Sequence, residues 1–257
     1  MGLLRDPRVL LAAWEAAAAR PEVARGPVLV AFDTRTTLAA ILDLPVSACA
    51  ALAVSAFREA FGSRPDCRFA CRSCRTPIHV PLHLDHLEAA VAADHEADGL
   101  AVVVAGAGRE LAVHCFSTQD LLDAAATADP AAELRGRIVR TADGEALPPK
   151  EIDGLTDAEL AAVDAAADRL AGAAATVLRM ECPACGEQQR AAVDPGDLLW
   201  ERVAMTAPRL MNQVATLARA FGWSEDETLA LSAIRRGAYL ELAETILAAP
   251  TWQAVGA

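Results

Sequence analysis

Two similar cysteine segments, far apart in the chain, constrain its fold more than any other feature. Cys71 and Cys74 form the first pair, and Cys182 and Cys185 form the second. A strand-like run precedes each pair and another follows it, so each pair is expected at the turn of a β-hairpin. Two intervening residues let such a turn direct both thiols towards one point, and two turns complete the tetrahedral shell that zinc prefers. The sequence therefore predicts a structural Zn²⁺ bound by all four cysteines, in a split zinc ribbon that joins distant parts of the chain.

Other ligand sets and other roles for these cysteines stay open at this point. His79, His83 or His86 could replace a cysteine, and Cys67 could stand in for Cys71 at a spacing that suits the turn less well. The cysteines could also be ordinary reduced thiols. Redox pairs usually begin a helix, whereas both pairs here lie between predicted strands. Four thiolates leave no open coordination position for water, which disfavours a catalytic zinc.

The remaining cysteines and histidines give weaker signals. Cys49 and Cys115 lie in apolar surroundings, so we expect them to be small buried hydrophobic residues. His95 and His114 are isolated from other potential ligands, and we expect them to be surface or packed histidines.

The composition indicates a helical protein with an acidic surface. Of the 257 residues, 54% are hydrophobic, which is enough to bury a sizeable core, but only 4% are aromatic. The buried surfaces should therefore be close-packed helix faces made of small residues. The formal net charge is −12 and Lys150 is the only lysine, so the surface should repel phosphate backbones and we expect no nucleic-acid partner.

The apolar runs and the N-terminus bear on the cellular compartment. Charged residues or proline interrupt every apolar run before it reaches the length of a bilayer span, so no membrane insertion is predicted. Residues 1–20 lack the regions of a secretion signal. The expected location is the cytoplasm, where closely spaced cysteines favour metal binding over disulfides.

Periodicity and capping patterns predict an α+β fold that is mainly helical, with the split ribbon and a C-terminal helical unit. The predicted helices cover residues 3–19, 34–42, 47–61, 84–93, 117–126, 156–174, 197–221 with a kink or break at Pro208, 224–231 and 232–247. The predicted strands cover residues 78–82, 100–104, 110–115 and 176–180, with a further possible strand at 28–32. Gly26 and Pro27 read as stop signals, Asp197 as a helix cap, and residues 129–153 as a loop with at most a short strand around Ile138. Capping boxes are predicted at 117/120, 156/159 and 224/227, and residues 106–108 are the predicted turn of a hairpin.

These elements suggest three regions. Residues 1–63 form an N-terminal helical region, residues 64–196 form the split ribbon with an inserted hairpin and helices, and residues 197–257 form a C-terminal helical region. No phosphate-binding glycine loop, nucleophile elbow or HExxH motif is present, so neither an enzyme nor a small-molecule substrate is expected.

The C-terminal region concentrates large amphipathic aromatic residues. Trp200, Trp223 and Tyr239 lie there, and they can form the core of that region. Alternatively, some of them could form a docking face for a neighbouring subunit, together with Arg235 and Arg236 on the last predicted helix.

Several segments carry a resemblance to a known family. They are residues 198–201 (LLWE), 217–225 (LARAFGWSE), 229–232 (LALS), 235–240 (RRGAYL), 182–186 (CPACG), 57–62 (FREAFG) and the pattern over 98–121. The chain resembles uncharacterised zinc-knuckle proteins encoded among the genes of phage-tail-like contractile injection systems, which are similar to phage baseplate proteins. Where that family usually has CPxCG in its first knuckle, this chain has CRSCR at residues 71–75, which keeps both cysteines and loses the proline and the glycine.

The resemblance implies a structural component or assembly factor of a contractile baseplate. Its expected partners are other baseplate or tail subunits, and incorporation into an assembled particle is part of that expectation. A transcriptional or nucleic-acid-binding regulator is the alternative, since a zinc ribbon with a helix-turn-helix-like C-terminus can bind DNA, although the net charge opposes it. A metal-dependent hydrolase is a third possibility, which a closed shell of four thiolates opposes.

Overall fold

A computed structural model describes residues 2–85, 100–105 and 109–248 of the chain. The protein has the predicted α+β composition, with small antiparallel sheets among many helices. The helices are α1 (Pro7–Ala18), α2 (Glu22–Thr34), α3 (Leu38–Leu42), α4 (Val46–Phe61), α5 (Thr118–Ala125), α6 (Pro130–Ile138), α7 (Pro149–Ile152), α8 (Asp157–Ala171), α9 (Pro195–Phe221), α10 (Glu225–Leu229) and α11 (Ala233–Ala248). The strands are β1 (Asp66–Ala70), β2 (Pro77–Pro81), β3 (Leu100–Ala105), β4 (Arg109–His114), β5 (Val139–Thr141), β6 (Thr176–Glu181) and β7 (Gln188–Val193).

The largest core lies where α1, α2 and α4 pack against α9. Leu29 of α2 and Leu199 of α9 are fully buried in it, and Ala13 and Ala17 give α1 a buried face made of small side chains. Small side chains let helix backbones approach closely, as the alanine-rich composition predicts. Leu4 and Leu229 belong to this same core, so the predicted first and third regions share one hydrophobic interior.

A second core joins the three-stranded sheet to α8. Strands β3, β4 and β5 are antiparallel neighbours in that order, and α8 packs against β3 and β4. Val113, Val139 and Val163 have no exposed surface in this core. The sheet and α8 therefore form the unit that is inserted between the two cysteine hairpins.

Two predictions of secondary structure are wrong. Residues 28–32 belong to α2, which continues through Gly26 and Pro27. A continuous apolar run fits a helix that is buried on all sides as well as it fits a strand, and the core surrounds α2. Residues 129–153 contain the helices α6 and α7 where a loop was predicted, because Asp129 caps α6 and Pro130 occupies its first position; β5 lies next to the short strand expected around Ile138.

The predicted helix caps are confirmed in most cases. The three capping boxes pair Ser117 with Asp120, Thr156 with Glu159, and Ser224 with Glu227. At α9, however, Asp194 and not Asp197 caps the helix, and Pro208 lies within this one continuous helix. The predicted helix over residues 84–93 lies largely outside the described residues. The histidines at positions 86 and 95 and the predicted turn at 106–108 lie entirely outside them. Within the described part of the chain, no helix has both the length and the apolar character needed to cross a membrane.

Two glycines allow α2 to contact the start of α9. A Cβ atom on Gly26 would lie 2.6 Å from the Cα atom of Gly196, which is too close for any side chain. In contrast, a Cβ atom on Gly237 in α11 would have no heavy atom within 4 Å. The close approach positions the N-terminus of α9, and therefore the end of β7, against the main core.

We expect Gly26→Ala to lower the free energy of unfolding by about 1–3 kcal/mol, because the helices must move apart. The matched change Gly237→Ala should raise the free energy of unfolding by about 0.5–1 kcal/mol, because alanine favours a helix and no atom obstructs a Cβ at this position. Urea unfolding of both variants tests this prediction. A Gly26→Ala protein as stable as the wild type would contradict the close packing of α2 on α9.

Candidate metal centre

Each cysteine pair lies at the turn of a two-stranded antiparallel hairpin. Strands β1 and β2 form the first hairpin, and β6 and β7 form the second. In the first turn, the backbone N–H of Cys71 donates to the carbonyl of Thr76 at 2.9 Å. The N–H of Arg75 donates back to the carbonyl of Cys71, also at 2.9 Å. The turn is therefore closed by two backbone hydrogen bonds.

The second turn repeats this arrangement. The N–H of Cys182 donates to the carbonyl of Glu187 at 2.9 Å, and the N–H of Gly186 donates to the carbonyl of Cys182 at 2.9 Å. Sequence spacing alone predicted two equivalent hairpin turns, and the structure confirms that prediction.

The four thiols from the two turns meet at one point. The Sγ atoms of Cys71 and Cys185 are 3.7 Å apart, and those of Cys74 and Cys182 are 3.6 Å apart. All four Sγ atoms lie within 4.8 Å of one another. A tetrahedral ion with metal–sulfur bonds of about 2.3 Å would hold its sulfurs about 3.8 Å apart. The cluster could therefore hold a metal ion with small movements of the side chains.

The cluster is half buried. Cys71 and Cys182 are almost completely buried, and they pack with Ile78 in a small apolar cluster of their own. Cys74 and Cys185 are exposed. Each hairpin thus contributes one buried thiol and one exposed thiol. An ion bound by all four thiols would therefore join the two hairpins close to the protein surface.

The two exposed thiols have pKa values that are shifted in opposite directions. The pKa of Cys74 is lowered to about 6, first by hydrogen bonding with the Thr76 side chain and then with its backbone. The backbone N–H of Glu187 lowers the pKa of Cys185, but hydrogen bonds from the other thiols and desolvation outweigh it and raise that pKa to about 12. Ionisation of one thiol therefore suppresses ionisation of its neighbour, and a bound cation would remove that conflict.

One residue that positions the first turn was not identified from the sequence. Gln189 of β7 is only 8% exposed, and its Oε1 atom accepts a hydrogen bond from the backbone N–H of Arg72 at 3.2 Å. This contact joins the second hairpin directly to the first turn. The only sequence signal for this role was a weak one: Gln189 is a polar residue at an inward-facing position of a strand that alternates between exposed and buried residues.

The alternative ligands lie apart from the cluster. Cys67 is buried in the main core, and its pKa is raised by burial first and then by Glu201 and Asp66. The Nδ1 atom of His79 lies 3.6 Å from an Asp66 oxygen, and the side chain is exposed. Neither residue, nor His83, belongs to the group of thiols that could hold an ion.

The other two cysteines are internal to the protein. Cys49 is buried, as predicted, and its pKa is raised to about 12 by burial and then by Asp194. Cys115 is half buried, with its Sγ atom 3.3 Å from the carbonyl oxygen of Leu170.

Most of the aromatic residues considered for a docking face pack on one another. Trp223 stacks on Phe221 with a centroid distance of 4.9 Å, and Tyr239 meets Trp223 edge-on at 4.8 Å. Trp200 is half buried against the main core, and the guanidinium of Arg25 lies 5.2 Å from its ring centroid. All of these rings are partly accessible, so a role in partner binding stays a prediction.

Arg235 and Arg236, which were considered for the same docking face, differ in exposure. Arg236 is buried, and it donates to Gln213 Oε1 at 2.8 Å and to the carbonyl of Leu231 at 3.3 Å. These contacts give Arg236 an internal role in joining α9 to α11. Arg235 is exposed, so its role in partner binding stays a prediction.

Comparisons of the chain with protein-family models, with curated proteins and with solved structures found no match.

Proposed function

We propose that this protein is a structural component or assembly factor of the baseplate of a phage-tail-like contractile injection system. In this proposal a structural zinc ion closes the fold as a split zinc ribbon, and the protein acts through contacts with other proteins. The observation that carries the proposal is the convergence of four thiols from two hairpins that are separated by more than a hundred residues.

Zinc is the metal that best suits this donor set. Four cysteine thiolates in a tetrahedral arrangement are typical of structural zinc sites, whereas Mg²⁺ and Ca²⁺ prefer oxygen ligands. Four protein ligands also leave no position for a water molecule or a substrate. The ion would therefore act in folding and not in catalysis, and cysteines 71, 74, 182 and 185 would be its ligands.

The hairpins depend on such an ion for their order. An isolated two-stranded hairpin is only marginally stable in water, and the apolar cluster beneath these two turns is small. A metal bond between them would fix the inserted sheet and α8 to the helical core. The surfaces of the helices would then be available for contacts with neighbouring subunits.

The resemblance supports the assignment to a contractile particle, with the cytoplasm as the place of synthesis and assembly. The segments that carry it include 198–201, 217–225 and 235–240, which lie on α9 and α11 or next to them. These helices form most of the C-terminal surface, where a docking face was predicted.

The test is co-expression of the tagged protein with the sheath, tube and baseplate subunits encoded in its own gene neighbourhood. We expect at least one baseplate subunit to co-purify with the metal-loaded protein in stoichiometric amount. The Cys182→Ser variant is the control for a fold that is not closed by metal. Recovery of the wild-type protein without any tail or baseplate subunit would contradict the proposed function.

A further inference from the structure

The two cysteine turns have the same backbone hydrogen bonds but differ at three positions of their sequences. Residues 71–75 read CRSCR, whereas residues 182–186 read CPACG. Arg72 thus stands where the second turn has Pro183, and Arg75 stands where it has Gly186. Proline and glycine favour this kind of turn, so the first turn has lost favourable turn residues and carries two guanidinium groups instead.

Arg75 adopts a backbone conformation that disfavours it. Its φ angle is 62°, close to the 72° of Gly186 at the equivalent position. A side chain in this left-handed region costs free energy that glycine does not pay, and such strain is most often retained at functional positions. Within the described residues, Arg35 is the other residue besides glycine with a positive φ angle.

Arg72 and Arg75 of the turn are both exposed. Among the residues that the structure describes, no carboxylate forms an ion pair with either side chain. Their charge is therefore available to an external group.

The hairpins differ in charge from the rest of the molecule. Residues 64–81 and 176–193 contain six arginines and three carboxylates, a formal charge of +3, so the remaining residues carry −15. Much of this negative charge lies between the hairpins: residues 109–175, here called the acidic body, contain 13 carboxylates and six basic side chains, a formal charge of −7, whereas residues 1–63 and 194–257 together carry −3. Four thiolates around a divalent ion add −2 at the centre of the hairpin surface, which leaves the hairpins far less acidic than the acidic body. All six arginines are exposed: Arg64, Arg68, Arg72, Arg75, Arg179 and Arg190.

We propose that the first cysteine turn is a docking surface on which Arg72 and Arg75 bind the acidic body, residues 109–175, of a second copy of this chain. This inference deepens the proposed function, since it names the surface through which the protein would assemble. The contact would join two different surfaces of the same chain, so copies would associate head to tail into rings or open chains.

A second copy fits this surface better than a nucleic acid does. Each copy carries both the arginine-bearing turn and an acidic body, so the complementary surface is already part of the molecule. Arginine is enriched in protein interfaces, and at physiological salt screening over about 8 Å lets local charges outweigh the net repulsion between two acidic chains. A duplex, in contrast, would bring its phosphates close to the acidic body.

The test is sedimentation equilibrium of the full-length, metal-loaded protein over a range of concentrations and salt. For the wild type we expect the weight-average mass to rise at least about twofold with concentration at physiological salt, and to return to the monomer mass at high salt. Arg72→Ala and Arg75→Gly should each weaken association about tenfold or more. Arg219→Ala, which removes an exposed arginine of α9, should leave association unchanged.

A second readout separates docking from folding. Arg75→Gly relieves the strained φ angle, so this variant should unfold at the same temperature as the wild type or higher while it associates more weakly. A wild-type protein that is monomeric at every concentration would overturn the inference, as would equal weakening by Arg219→Ala. Salt-sensitive binding of labelled duplex DNA that is lost with Arg75→Gly would also overturn it, in favour of a nucleic acid. A monomer that still co-purifies with baseplate subunits would leave the proposed function standing.

Discussion

Replacing Cys182 by serine is expected to remove the bound metal and to lower the free energy of unfolding by more than about 4 kcal/mol. Cys182 is almost completely buried, and its thiol lies 3.6 Å from that of Cys74 on the other hairpin. A serine hydroxyl is a poor zinc ligand, so the remaining three thiols would lose the geometry and the charge that retain the ion. Metal analysis under reducing conditions should find one zinc per wild-type chain and almost none in the variant.

The control for this experiment lies in the first hairpin. Cys67 is as buried as a core residue, but its thiol lies outside the metal cluster. Cys67→Ala should therefore cost only about 1 kcal/mol and keep the full metal content. Loss of metal from Cys67→Ala, or one retained zinc in Cys182→Ser, would show that the ligands differ from the four converging thiols. Cys185→Ser should behave like Cys182→Ser, although Cys185 is exposed.

The convergence of the cysteines could be predicted because it depends on local patterns. Each pair is flanked by strand-like residues, and a CxxC turn between strands has one common geometry. Helix ends were predictable for the same reason, since capping boxes such as Ser117 with Asp120 satisfy backbone groups within four residues. Local hydrogen bonding decides these features, so tertiary packing changes them little.

Features that depend on distant contacts could not be predicted from the sequence. The run Val28–Leu29–Val30 is apolar enough for a buried strand, and only its packing between α1, α4 and α9 makes it helical. Gln189 became part of the metal centre because the second hairpin lies against the turn at Arg72, far away in the chain. Similarly, Arg236 is internal only because Gln213 and the end of α10 lie beneath α11.

Binding of Zn²⁺ at about pH 7.5 is expected to release fewer than four protons, because the Cys74 thiol is already ionised. The pKa of Cys74 is lowered to about 6 by the hydroxyl and the backbone of Thr76, so this thiol is a thiolate at that pH. The pKa of Cys185 is raised to about 12, so this thiol must lose its proton when the ion binds. The affinity for zinc should therefore fall by about tenfold or more as the pH falls from 7.5 to 6.5.

Calorimetric titration of the metal-free protein in buffers of different ionisation enthalpy measures the number of protons released. Thr76→Val removes the hydroxyl that lies 3.2 Å from the Cys74 Sγ atom, so the pKa of Cys74 should rise and the number of protons released should increase by up to about one. Ser73→Ala, which removes a hydroxyl from the same turn, should leave the number unchanged. Release of four protons by the wild-type protein would mean that Cys74 is protonated before the metal binds. In either case protons compete with the ion, so the stability that the metal gives is present at neutral pH and is lost as the pH falls.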